Sequence, residues 1–370
     1  MSDNENTREL LPVKVVFTSE NDLVSPPTQP PRLKFFDEVT QELRRHFSSQ
    51  VDRLLDAFKP VFDNYPNMPA VARIILREDA IAKSYRPNKL FSSSTCPIIG
   101  CETFGTLLVS ISRTGLYNLK EQLSKETKTA TAAISTLAAI EPYKYELSQS
   151  FDPSKGSFKL RLFNHGNLRS ANEIESRLFE LSQRINIPAP QKLDYTEDLN
   201  IYEVICADSS QVDELCNFAG TQSFANFTEF NIETQSIPIG DVDIDSFPAP
   251  GHEDYPVVGL IDSGVSDNSY LQPWIVDRDE EDVPVIDQNR KHGTFIAGLI
   301  VNGRSFNHDD PAFPSTRAKI IDVVAIPKSK IKDYALLQTI RRVVPKYPEV
   351  KIWNLSINCT DTICQDSYFS

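Results

Sequence analysis

The stretch from 257 to 357 alternates apolar runs with amphipathic segments, and this grammar restricts the fold more than any other feature of the chain. Residues 257–261 are a continuous apolar run, the kind buried in a parallel sheet; 319–326 reads as a second buried strand and 350–357 as a third. Between them, 292–301 has helical character. Asp333 can cap a further helix carrying Leu336, Leu337, Ile340 and Val344, with Pro345 closing it. Strand, helix, strand, helix, strand predicts an α/β class with a doubly wound parallel sheet. Active groups of such sheets gather at the carboxyl ends of the strands.

Upstream the pattern is different. Residues 1–33 are polar and then proline-rich, which reads as an extended arm with one possible strand at 13–17. Residues 34–68 hold an amphipathic helix. Phe36, Val39, Leu43, Phe47, Val51, Leu54 and Phe58 recur at intervals of three and four on one face, Arg44, Arg45, Asp52 and Arg53 fall mainly on the other, and Pro60 ends it. From 69 to 236 short strands and helices alternate. Strands are expected at 71–76, 107–111, 134–143, 158–163, 201–207 and 224–230, with helices at 115–123, 171–185 and 211–218. This is an α+β region of one or two ferredoxin-like modules. The stretch 237–256, rich in Asp, Gly and Pro, reads as a linker to the region 257–370.

Two phrases in that last region carry chemistry. Gly-Leu-Ile-Asp-Ser-Gly-Val at 259–265 ends an apolar strand on Asp262, and Ser263-Gly264 turns the chain sharply. Lys-His-Gly-Thr-Phe-Ile-Ala-Gly at 291–298 opens an apolar helix on His292. A carboxylate so placed can accept the Nδ1–H of a histidine, fixing its tautomer and stabilising the imidazolium. Taken singly, the first phrase is usually a strand-ending turn and the second a capped surface or core histidine. Their order and spacing make the pair specific.

Together they resemble the Asp and His stations of the subtilisin-like serine proteases, whose chain order is Asp, His, Ser. The resemblance covers 257–358. It implies a partial subtilisin-like sheet, preceded by a propeptide-like α+β region, in an endopeptidase that hydrolyses peptide bonds. Asp262 and His292 would be catalytic, the imidazole acting as general base and then as acid. The segment 353–358 resembles the family's Asn-x-Ser strand, which borders the substrate cleft and pairs with the peptide backbone. That makes Asn354, Ser356 and Asn358 candidate substrate-binding residues, Asn358 replacing a usual glycine. The opposite cleft wall would fall at 325–330, where Lys328 and Lys330 would favour acidic substrates; two solvated lysines are the plainer reading. The nucleophilic Ser and the oxyanion Asn lie after the Asn-x-Ser strand in that family, and no Gly-Thr-Ser segment follows His292 here. The chain is therefore expected to be the N-terminal part of such an enzyme, truncated and inactive as it stands. The α+β region is expected to pack on the protease part. The alternative is a non-catalytic binding or inhibitory protein that retains a vestigial protease fragment.

Composition narrows the partners. A net charge of −13 argues against nucleic acid and anionic membranes, leaving a peptide or protein as substrate. The first residues lack a basic stretch followed by an apolar run, and no segment approaches a membrane span, so a cytoplasmic location is expected. Six cysteines in 370 residues are too sparse for a disulfide scaffold. Cys96 with Cys101, and Cys359 with Cys364, allow a four-thiolate zinc site, though reduced buried thiols are the simpler assignment. The acidic run from Asp277 to Asp282 is either a solvated loop or a calcium site. The reading calls for no cofactor and no metal.

Overall fold

The computed structural model describes residues 33–232, 247–252, 254–315 and 317–359, with backbone alone for Asn358 and Cys359. The strand expected at 13–17, most of the 1–33 arm, residues 237–246 of the linker, and Cys364 lie outside the described residues. Two compact units form. Of the described residues, one comprises those up to Leu55, Arg73–Val109 and Thr114–Glu141; the other comprises Asp56–Ala72, Ser110–Arg113 and those from Pro142 onward.

In the first unit, helix α1 (Gln41–Ala57) starts where the Thr40 hydroxyl accepts the Leu43 N–H at 3.1 Å. Its buried residues are Arg44, Phe47, Gln50, Val51 and Leu54. Arg44 thus lies in the buried stripe and not on the polar face. Its guanidinium donates to the carbonyls of Leu123 and Lys125 and to the Thr131 hydroxyl, at the end of a following helix whose last carbonyls lack intrahelical donors. Gln50 Oε1 accepts the buried Ile140 N–H at 2.8 Å. Hydrogen bonding made two polar residues interior. Pro60 does not end α1; it sits in the first turn of α2 (Lys59–Asn64), where its missing N–H costs nothing.

The first sheet uses β1 (Ala70–Leu76), β2 (Ile98–Thr103), β3 (Thr106–Ile111) and, after α3 (Arg113–Ser124) and α4 (Lys128–Ile134), β4 (Leu137–Pro142). Its spatial order is β2-β3-β1-β4. The strand expected from 134 begins at Leu137 instead. Thr127 caps an alanine-rich turn there, and alanine favours helix.

The second unit holds another four-stranded sheet: β5 (Ser157–Leu162), α5 (Leu168–Arg184), β6 (Gln191–Leu193), β7 (Asn200–Ile205), α6 (Ser209–Cys216) and β8 (Thr221–Asn226). Its order, β6-β7-β5-β8, repeats that of the first, and its pairings are antiparallel. Phe158, Leu160, Leu162, Leu178, Tyr202 and Phe224 fill its core. The strand expected to run unbroken through 224–230 breaks at Phe227-Thr228, and β9 (Glu229–Asn231) leaves for a different sheet.

A parallel sheet follows, built from β10 (Val257–Asp262), β11 (Ile275–Asp279), β12 (Lys319–Val324) and, later, β14 (Ile352–Asn354), in the order β11-β12-β10-β14. Alternate residues face opposite ways. Leu260 and Ile320 pack against Ala297 and Val301 of α7 (Lys291–Phe306). Ile261, Ile321 and Val323 pack against Leu336 and Val343 of α8 (Asp333–Lys346). One helix per face makes this a mixed α/β fold. Pro345 lies inside the last turn of α8 and does not terminate it. The third run, expected as one strand over 350–357, divides into β14 and β15 (Asn358–Cys359). With β13 (Ile331–Lys332), β15 flanks β9 in a three-stranded antiparallel sheet. No described helix is long and apolar enough to cross a membrane.

Candidate active site

Asp262 is the last residue of β10, and its side chain is wholly buried. Parallel pairing with β12 runs to Asp262, opposite Val324, while β14 pairs β10 only as far as Leu260. The Asp262 carbonyl accepts the N–H groups of Ala325 and Ile326, at 2.8 and 3.0 Å. One turn across, His292 is the second residue of α7. Its Nδ1 lies 2.9 Å from both carboxylate oxygens of Asp262. The Ser263 N–H donates to the same carboxylate, which orients it further. The imidazole keeps 19% of its side-chain surface exposed, so its other edge is open to a reactant.

Two glycines allow this closeness. Gly264 has φ +91, a left-handed conformation that other residues adopt only with strain. A Cβ on Gly293 would lie 2.3 Å from the Gly264 carbonyl oxygen, so the helix can seat against the turn only without a side chain there. Ser263 Oγ accepts the Gly293 N–H at 3.1 Å, and Thr294 Oγ1 accepts the Ser266 N–H at 2.8 Å. The two phrases of the sequence are thus stitched together by their small and hydroxylic residues.

A second carboxylate backs this turn. Asp322, completely buried in β12, stands opposite Leu260 in register. Its Oδ2 accepts the Val265 N–H at 3.0 Å and Arg278 Nε at 2.8 Å, while Arg278 also donates to the Val265 carbonyl and to Asp267. Burial pushes the Asp322 carboxyl up to about 6, against the opposing pull of Val265 and Arg278. Its Oδ1 has no hydrogen-bond partner among the described residues. Sequence reasoning passed over both residues. The only available signal was one charge within the apolar run at 319–326.

The other candidates separate. Asn354 pairs with Leu260 inside the parallel sheet, and its Oδ1 accepts the Ser356 hydroxyl at 2.9 Å. Asn358 joins β15, where its backbone pairs with Asn231 of β9. Lys328 donates to the Ile286 carbonyl. Lys330 Nζ lies 3.6 Å from Glu229.

The acidic run covers the end of β11 and the turn after it; Asp277, Glu281 and Asp282 are exposed, Asp279 is buried, and most of its carboxylates have side-chain partners. Asp279 takes Arg342 and Lys346, Asp282 takes Arg342 and Thr339, Glu280 takes Arg290, and Asp277 takes Tyr347. The Arg342 and Lys346 cations hold the Asp279 carboxyl far below its usual range. Basic residues of α8 consume the charge that the sequence left unmatched. Cys96 is buried, its thiol pushed up to about 12 by desolvation, while Cys101 is exposed. Among the described residues no cluster of three or more His, Cys, Asp or Glu side chains is placed to hold a metal ion.

The antiparallel module also touches α8. Lys159 of β5 and Asp333 form a sealed ion pair at 2.8 Å, and the Tyr195 hydroxyl donates to the same carboxylate. Leu193, Tyr195, Ile201 and Phe227 cluster with Tyr334 and Leu337.

Compared with known proteins, the chain matches no family model, and no curated protein matches it.

Proposed function

We propose that the chain carries the Asp and His stations of a subtilisin-like serine endopeptidase, Asp262 orienting His292 as the general base of peptide-bond hydrolysis. The observation that carries this reading is the dyad: an imidazole Nδ1 at 2.9 Å from a buried carboxylate at the carboxyl end of a parallel strand. In this reading β10–β12 and β14 are the N-terminal part of a subtilisin-like sheet. The β5–β8 module, with its ferredoxin-like strand order, is the propeptide-like element packed on α8. No Gly-Thr-Ser segment follows His292 within these residues, so the reading assigns the Asp and His stations and names no residue for the attacking hydroxyl or its oxyanion donor.

The test is active-site labelling of the natural gene product with a fluorophosphonate. Labelling is expected, and Asp262→Asn should slow it by about 10⁴-fold while leaving the circular dichroism spectrum unchanged. A folded product that resists the probe overturns the reading. It would favour a non-catalytic, peptide-binding or inhibitory protein, a second reading supported by the sealed Lys159–Asp333 pair that fastens the module to α8.

A further inference from the structure

Pairing between β10 and β12 ends at Asp262, opposite Val324, and the chain then turns through Ser263 and Gly264 into Val265. Val265 is fully buried, so its peptide groups need partners that the strand ladder no longer supplies. The N–H donates to Asp322 Oδ2 at 3.0 Å. The carbonyl accepts Arg278 Nη2 at 2.6 Å and Arg290 Nη1 at 3.3 Å. Arg278 Nε closes the circuit on the same Asp322 oxygen at 2.8 Å.

This circuit is tied to both members of the dyad. Asp322 and Val324 share one face of β12, being two residues apart. A Cβ on Gly264 would lie 2.8 Å from a Val324 methyl, so the turn rests on that face. Arg290 immediately precedes α7, two positions before His292. Glu280 accepts its Nη2 at 2.6 Å and lies 3.7 Å from Arg278 Nε. The Gly264 carbonyl is in turn the surface on which Gly293 seats. A shift of the Val265 peptide therefore moves the floor under His292 as well as the turn that follows Asp262. An apolar side chain at 322 would fill the sheet face without the cost of burying a carboxylate. What the acid adds is its hold on the Val265 N–H and on Arg278.

We propose that Asp322, acting through the Val265 peptide and Arg278, is a positioning residue for the Asp262–His292 pair, setting how the 263–265 turn seats and hence how the imidazole is aligned on its carboxylate. That the aligned imidazole serves peptide hydrolysis rests on the protease reading; the alignment itself does not.

The test follows the His292 Nδ1 proton by NMR in the full isotope-labelled chain, the resonance being assigned by its loss in His292→Ala. A held imidazole shows a proton protected from exchange with water; its absence from the unaltered chain overturns the proposal. Asp322→Ala removes the acceptor of the Val265 N–H and should speed this exchange by about 10-fold. Asp322→Asn keeps an acceptor oxygen and should restore the slow rate. Equal effects of the two changes, or no effect of Asp322→Ala with native circular dichroism, overturn the proposal. Arg342→Ala strips Asp279 and Asp282 of a partner without a bond to the turn, and should leave the proton unmoved. Acceleration there matching that of Asp322→Ala would make the effect a general loosening and overturn it too. Should Asp322→Ala fail to fold, Arg278→Ala takes its place with the same expectation and the same reversal.

In the natural gene product Asp322→Ala should slow fluorophosphonate labelling by about 10²-fold, the effect of displacing a reacting group by about 1 Å. An imidazole sensitive to Asp322 in a product that resists the probe would keep the positioning role and remove the protease. Labelling indifferent to Asp322, with the imidazole unmoved, would do the reverse.

Discussion

Asp262 and Asp333 are both buried carboxylates, both next to the start of a helix, and both paired to a nitrogen at under 3 Å. Their partners differ in kind. Asp262 faces an imidazole that keeps 19% of its side-chain surface exposed. Asp333 faces the ammonium of Lys159, only 4% exposed, and a tyrosine hydroxyl. The first arrangement leaves its nitrogen partner accessible; the second seals it between two elements. Burial of a carboxylate does not by itself mark chemistry. The access of its partner is what separates the two sites.

The contrast is broken most severely at the sealed pair. Lys159→Ala leaves an uncompensated charge at Asp333, with no route for water to replace the ammonium, and should cost about 3–5 kcal/mol in urea unfolding. The paired change Lys159→Met with Asp333→Leu should recover most of that loss, because apolar replacement of a buried ion pair is often close to neutral. A single-variant loss under about 1 kcal/mol would mean the pair is wetter than its geometry indicates.

Asp322 sharpens the comparison from a third position, being as buried as the other two yet left with one oxygen unpartnered. Its folded value of about 6 lies above the ordinary 3.8, so the folded state binds this proton more tightly than the unfolded chain. The associated stability is complete below about pH 4 and lost as pH climbs through 6. A displacement of that size corresponds to about 2–3 kcal/mol. Asp322→Asn keeps the acceptor for Val265 and removes the proton, so the difference in stability between pH 4 and pH 7 should shrink by that amount. An unchanged pH profile would show that Arg278 fully offsets the desolvation.

Much of this was legible in the sequence because it rests on local pattern. The apolar runs located β10 and β12 and the two helices that cover them, and the small residues of Asp262-Ser263-Gly264 and His292-Gly293-Thr294 pointed to a close turn-to-helix contact. What stayed hidden depends on distant partners. Arg44 reads as surface until the carbonyls ending α3 are placed beside it. The acidic run from Asp277 to Asp282 reads as solvated until Arg342 and Lys346 arrive from α8, some sixty positions later. Segment 224–230 reads as one strand, since nothing local says that its end will pair with β13 and β15.

The mildest change is at the dyad. His292→Ala removes the partner of Asp262, but the imidazole it deletes is itself partly exposed, so a water can reach the position of Nδ1. The Ser263 N–H still donates to the carboxylate, so the charge keeps a fixed donor. The expected cost is about 1–2 kcal/mol, below that of Lys159→Ala and small for the loss of a hydrogen bond to a buried carboxylate. Equal costs for the two variants would mean that Asp262 is sealed as tightly as Asp333. The imidazole would then be a structural tie, and the distinction between an accessible and a sealed partner would not hold in this molecule.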